Sequence, residues 1–297
     1  GHPHQLRVPM TRQPAVDWAL AARAATLGRG PLPDVTRPVA HQYVARLRAR
    51  ARAAGPLAAR VMGLRSAGAA EVLVLDRDGW VREASRIARA GMAALGRPPR
   101  RDGGLARLLA GGLGVVVGLG LGVASRWMLG QYDGLTGRRR LLLVAPNIHR
   151  EAARRRFVEE DFHRWVALHE QTHALQFEAA PWLADHLLEL VADAGAPGAV
   201  DRLVAAMTFL EGHADLVADA TGSVPTAARM RRAFGRRPRR GGLLDKEGQY
   251  VRGLAFCEEA QRLARGYPFD EAFRSPEQLP TRAEIAEPAA WLRRVHG

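Results

Sequence analysis

Residues Val166 to Phe177 read Val-Ala-Leu-His-Glu-Gln-Thr-His-Ala-Leu-Gln-Phe, an HExxH motif inside an uninterrupted helical pattern. On a helix, His169 and His173 lie one turn apart on one face, so two imidazoles converge on a point where a zinc ion can sit. Glu170 projects beside that point. A metal with three protein ligands keeps a position open for water and lowers its pKa to about 7, so a neighbouring carboxylate can take the proton. The expected chemistry is that of a zinc hydrolase with Glu170 as general base. A bare HExxH also arises as two helix histidines beside a surface glutamate, so its flanks carry the decision. Here Trp165, Val166, Leu168, Ala174, Leu175 and Phe177 surround it, which describes a buried helix. Unpaired charge inside such a helix is costly, and a bound metal removes the cost.

The third ligand is expected on a second helix downstream. Between Val200 and Asp219, apolar Leu203, Met207, Leu210, Ala214 and Val217 keep the spacing of an amphipathic helix, and Glu211 interrupts their stripe. Asp215 follows four residues later on Glu211's own face. Such a pair has a double use: the glutamate completes the metal site, and the aspartate accepts a hydrogen bond from a ligand imidazole and fixes its tautomer. His213 is the competing ligand. It points about 200° around the helix from Glu211, so the two do not readily share one ion. The plain alternative for both is a buried polar pair satisfied by its neighbours.

These residues, with several other stretches, carry a family resemblance. The matching segments are Asp76–Trp80, Leu129–Asp133, Val144–Asn147, His169–His173 with Gln176-Phe177 and Pro181–Leu183, Glu211–Asp215, Lys246 with Gln249-Tyr250, and Leu279–Thr281. In these segments the chain resembles the actinobacterial zincin-like proteins described as zinc-dependent metalloproteases, or as uncharacterised proteins associated with deazaflavin coenzyme biosynthesis. The resemblance runs from about Asp17 to Val295. It implies a zincin-type site with Zn2+ as cofactor, but no particular substrate.

The composition, 47% hydrophobic and 25% charged over 297 residues, suits a folded chain able to bury a sizeable core. The single cysteine, Cys257, excludes an internal disulfide framework and fits a reducing compartment. No apolar leader core precedes Trp18, so the cytoplasm is the expected location. Net charge is +14, and Lys246 is the only lysine among 44 basic residues. Seven arginines (229, 231, 232, 236, 237, 239 and 240) crowd one stretch with no acid among them, near Gly235, Pro238, Gly241 and Gly242. This stretch reads as a solvated loop. Attraction of nucleic acid or an acidic substrate is the alternative, although only Phe234 interleaves with the arginines.

Leu108 to Ser125 is free of charge, and as a helix would extend about 27 Å, close to a bilayer's hydrocarbon thickness. Its glycines argue against a span, since each costs about 1 kcal/mol of helix propensity and adds little apolar surface. Gly114, Gly118 and Gly122 repeat every four residues and make a smooth groove for close helix packing. The expected reading is a buried helix of a water-soluble fold, with membrane contact the alternative. A phosphate loop is excluded, because no Lys-Ser/Thr follows.

The fold class is expected to be mainly α with few short strands, and zincin-like with HExxH on a buried central helix. Helices are expected over about 15–27, 38–54, 81–95, 105–128, 150–179, 182–194, 198–221, 225–234, 246–265 and 282–295, and strands over 72–75 and 141–144. Pro98-Pro99 and the following Arg100–Gly104 mark the expected boundary between an N-terminal helical region (1–100) and a zincin-like metal-site domain (101–297), with one continuous domain the alternative.

In the expected mechanism His169, His173 and Glu211 hold zinc, Glu170 moves the proton, and Asp215 orients a ligand histidine. Tyr250 is the first choice for a hydrogen-bond donor to the tetrahedral intermediate, with His149 and His163 as alternatives. The partner is a peptide or protein substrate, with no specific nucleic acid. Two other classes stay open: a zincin-like scaffold that binds metal without catalysis, and a basic protein of membrane surfaces or nucleic acid.

Overall fold

A computed structural model describes residues 16–28, 30–31, 33–95, 115, 117–234 and 246–297, without the side chains of 246–250. The boundary expected at Pro98–Gly104 lies outside these residues. By contact the chain forms two compact units, one from residues 1–31 and 77–127, the other from 32–76 and 128–297.

The first unit contains α1 (Trp18–Gly28), α3 (Arg77–Ala94) and the helical residues 117–124, here α4. Asp17 caps α1 by accepting a hydrogen bond from the Leu20 amide at 3.0 Å. The glycine repeat brings α4 onto α1. A β-carbon added at Gly118 would lie 2.1 Å from the Ala21 carbonyl oxygen, and one at Gly122 would lie 2.3 Å from that of Ala25. Backbone touches backbone here, as the groove of small residues predicted. Residues 108–114 and 116 fall outside the described residues, among which no helix is long and apolar enough to cross a membrane.

The second unit holds a three-stranded sheet: β1 (Glu71–Leu75), β2 (Gly130–Asp133) and β3 (Arg140–Val144), in the order β1-β3-β2. β3 is central, parallel to β1 and antiparallel to β2. Its run Leu141-Leu-Leu-Val144 is wholly buried, as a strand covered on both faces must be. β2 was not expected: only Tyr132 in it is a strong strand former, and pairing with β3 holds it extended.

Around the sheet lie α2 (Arg37–Val61), α5 (Ala145–Arg155), α6 (Glu159–Ala179), α7 (Leu183–Ala192), α8 (Ala199–Ala220), α9 (Ala227–Phe234), α10 (Lys246–Ala264), α11 (Arg282–Ala286) and α12 (Pro288–His296). The single helix expected over 150–179 is two helices. Arg156 adopts a left-handed conformation, φ +53°, that ends α5, and Glu159, Glu160 and Asp161 complement the dipole at the start of α6. Ala180-Pro181 stops α6, because proline cannot donate the next helical hydrogen bond. Arg229, Arg231 and Arg232 belong to α9, within the helix expected over 225–234 rather than the loop read for the arginine-rich stretch, and Arg231 pairs with Asp219 of α8. Residues 235–245 lie outside the described residues.

The helix carrying HExxH is the centre of this unit, with Phe162, Ala167, Leu168, Thr172 and Leu175 at most 0% exposed. On the face turned away from the histidines, Gln171 donates to the Ala51 carbonyl of α2 at 2.8 Å and accepts from the Ala69 amide at 2.8 Å. One side chain thus fastens α6 to both α2 and the approach to β1. α8 runs antiparallel to α6, as the successive pairs Asp161–Thr226, His169–Asp215, His173–Glu211 and Gln176–Leu210 show. α10 in turn crosses α8 where Gly212 meets Gly253, and a β-carbon at Gly212 would stand 1.9 Å from the Gly253 carbonyl carbon. Neither backbone can yield locally. Gly212→Ala is therefore expected to destabilise the protein by about 1–3 kcal/mol through overpacking, measured as a lowered urea midpoint with unchanged slope. A midpoint equal to wild type would show that the helices can separate at no cost.

Candidate metal centre

His169 and His173, one turn apart on α6, face Glu211 of α8. His169 Nε2 is 3.1 Å from His173 Nε2 and 3.2 Å from Glu211 Oε2, and His173 Nε2 is 3.7 Å from the same oxygen. These three residues are the one His/Cys/Asp/Glu group among the described residues with a metal-ligating arrangement. Zinc–ligand bonds of about 2.0–2.1 Å in a tetrahedron place neighbouring ligand atoms about 3.3–3.4 Å apart. The observed triangle has that size. His169 and Glu211 are buried, and the His173 side chain is 17% exposed, so the site opens to solvent on the His173 side.

Proton positions follow from the outer partners. His169 Nδ1 lies 2.9 Å from Asp215 Oδ1, and a carboxylate only accepts, so Nδ1 carries the hydrogen. His173 Nδ1 lies 2.8 Å from Gln176 Oε1, while the Gln176 amide nitrogen donates to the Leu210 carbonyl at 2.9 Å. The amide oxygen therefore accepts from His173 Nδ1–H. In the neutral rings both Nε2 atoms then carry lone pairs facing a buried carboxylate oxygen. Two imidazole nitrogens and a carboxylate oxygen meet at ligand distance, a donor set that fits a divalent cation such as zinc.

The electrostatics show the same demand for positive charge. Burial lowers the His169 pKa, but hydrogen bonds to Asp215 and Glu211 outweigh it and hold the imidazole well above its ordinary value. Burial raises Glu211, and the two facing imidazoles outweigh that and hold its carboxyl well below the usual range.

Glu170 is buried and packs against the first residue of β2. A β-carbon at Gly130 would lie 2.5 Å from the Glu170 carboxyl carbon, so only glycine leaves room for this carboxylate beside the sheet edge. Gly130 in turn is held by the bond from the Val144 amide to the Leu129 carbonyl, 2.8 Å, next to it.

The competing ligand His213 is engaged elsewhere. Its Nδ1 accepts from Gln176 Nε2 at 3.0 Å, and its Nε2 lies 2.6 Å from the Tyr267 hydroxyl. Burial pushes its pKa down to about 3. The alternative donors His149 and His163 lie together at Tyr43 rather than with the ligands: His163 Nε2 is 2.8 Å from the Tyr43 hydroxyl, and the His149 ring stands edge-on to the Tyr43 ring. Tyr250 lies within α10, and its side chain is outside the described residues. Sequence reasoning gave no role to Gln176, Gly130 or Tyr267. Gln176 had a signal, since with His169 and His173 it completes an i, i+4, i+7 stripe on one helix face. Gly130 and Tyr267 reach the site only through tertiary packing.

A family model described as a zincin-like metallopeptidase matches residues 16–198 and 194–292. The chain belongs to that family. This zincin-like chain is also similar to the "Crystal structure of a putative hydrolase with a novel fold from Chloroflexus aurantiacus", at 29% identity and a TM-score of 0.73 over 95% of this chain and 99% of that one. None of the curated proteins matches it.

Two outcomes follow from the outer partners. Asp215→Asn is expected to weaken zinc binding by about 10–100-fold, read by chelator competition; unchanged affinity would mean that His169 is oriented by packing alone. Away from the ligands, burial and then Arg50 and Arg46 push the His163 pKa down from 6.5 to about 4. The unfolded chain then takes up a proton near pH 6.5 that the folded chain refuses until about pH 4. This contribution to stability is complete above pH 6.5 and is lost as pH falls through that window. His163→Gln keeps a partner for Tyr43 without titrating, so its melting temperature should fall less than that of wild type between pH 7 and pH 4.5. Parallel curves would remove His163 from the acid response.

Proposed function

We propose that this protein is a zinc-dependent metallohydrolase acting on peptide bonds, with His169, His173 and Glu211 holding the ion. The observation that carries this reading is the triangle of two imidazole nitrogens and a carboxylate oxygen at ligand distance, with the outer nitrogens of both histidines held by Asp215 and Gln176. Zinc supplies Lewis acidity, which acidifies water and polarises a carbonyl. Glu170 takes a proton from the attacking water on its carboxylate and hands it to the leaving amine nitrogen. Gly130 keeps that carboxylate close to the sheet edge. Asp215 stabilises the His169 ring as charge changes beside it.

A peptide suits the surroundings of Glu170. β2, at the edge of the sheet, carries Gly130 against that carboxylate, and an extended peptide is the proposed substrate form lying near it. Tyr250 is the proposed hydrogen-bond donor to the tetrahedral intermediate. It lies one turn before Gly253, whose backbone touches Gly212 next to Glu211.

The test is elemental analysis combined with peptide hydrolysis. About one zinc per chain is expected, sharply reduced in Glu211→Ala, and Glu170→Gln should keep its zinc while losing hydrolysis by at least about 100-fold. Full zinc in Glu211→Ala would move the third ligand elsewhere. No uptake of supplied zinc by the wild type would end the enzyme reading.

A further inference from the structure

Beyond His173 the hydrogen bonds continue away from the ligands into the core. Gln176 Nε2 donates to both the Leu210 carbonyl and His213 Nδ1, so the proton of His213 is on Nε2, which donates to the Tyr267 hydroxyl at 2.6 Å. His213 is fully buried, and the rings of Phe269 and Phe273 stand edge-on within 5.3 Å of it. Among these rings, an Nε2–H has Tyr267 as its acceptor. We propose that His213 and Tyr267 are positioning residues for the metal centre: by holding the Gln176 amide in one orientation, they make His173 present an unprotonated Nε2 to the ion.

The reasoning turns on what a flipped amide would do. Rotated by half a turn, Gln176 would set its oxygen against the Leu210 carbonyl and its NH2 against His173 Nδ1. His173 Nδ1 would then have to accept, and the proton would move to Nε2, inside the triangle the ion needs. The Leu210 carbonyl opposes the flip, and so does His213 while its Nδ1 is an acceptor. Tyr267 decides that last condition. Without its hydroxyl, the proton on His213 Nε2 would be buried among aromatic rings with no acceptor, a cost of about 1–3 kcal/mol. The proton would then sit more cheaply on Nδ1, where only a flipped Gln176 oxygen can accept it. A hydroxyl on the segment after α10 thus reaches the metal through three hydrogen bonds. This inference rests on the metal-centre reading above.

Two measurements test it. Long-range nitrogen–proton NMR of the histidine rings reads tautomers directly, and the wild type should show His213 protonated on Nε2 and His173 on Nδ1. The opposite tautomer at either ring overturns the proposal, and this readout requires neither activity nor any variant to fold. The second is a double-mutant cycle on zinc affinity, measured by chelator competition. Tyr267→Phe alone should weaken zinc binding several-fold, and Gln176→Leu by about 10–100-fold. If Tyr267 acts through Gln176, adding Tyr267→Phe to Gln176→Leu should change little. Full additivity, or an unchanged affinity in Tyr267→Phe, would make the tyrosine a packing residue only. A wild type that takes up no zinc would overturn the metal reading itself, and the tautomers of the metal-free protein would still judge the relay.

Discussion

The structure is organised around a charge imbalance buried between two antiparallel helices. Two imidazole lone pairs and a carboxylate oxygen converge within 3.1 to 3.7 Å of one another on the α6–α8 interface. In a low-dielectric interior such an arrangement repels itself unless a cation sits within it. The neighbouring bonds favour this arrangement, because Asp215 and Gln176 accept from the outer nitrogens and leave both Nε2 atoms facing Glu211. The orientation of Gln176, and with it the side of His173 that carries hydrogen, is set in part by the Leu210 carbonyl oxygen, which can only accept.

Holding those atoms at ligand distance is the task of the surrounding fold. α6 cannot slide along α2, because Gln171 is bonded to the Ala51 carbonyl and the Ala69 amide. α8 cannot drift from α10, because Gly212 and Gly253 have their backbones in contact one residue from Glu211. The glycine beside the third ligand is thus part of the site's geometry, although it has no side chain to contribute. The sheet sets the remaining coordinate: β2, paired to the fully buried β3, carries Gly130 against Glu170. His169, His173 and Glu170 come from one helix, and what they face comes from elements distant in the chain.

This division explains what could be read from the sequence. Whatever depends on helical period was legible: His169 and His173 on one face, Glu211 on the apolar stripe of the next helix, Asp215 one turn beyond it, and the Gly118/Gly122 groove. Whatever depends on which elements meet was hidden. β2 has four residues and little strand propensity, and pairing with β3 alone makes it a strand. Arg156 ends α5 through a left-handed conformation that an arginine does not advertise. His213 drew attention as a ligand because of its type and neighbourhood, yet its ring points into an aromatic cage, as the 100° step from Glu211 to each following residue requires.

The arrangement also bears on whether a metal here would serve structure or chemistry. A structural zinc site is closed, with four protein ligands and no open position. This cluster offers three, and its solvent-facing corner is His173, the one ligand that is only partly buried. A metal held there would have its fourth position left to a small molecule. Glu170, the residue after His169, adds a buried carboxylate to this region. Gly130 is the fold's accommodation of that carboxylate, and a residue with a β-carbon would displace it. A site that only bound metal would have no use for a carboxylate as a base, whereas a hydrolase would need one within reach of its water.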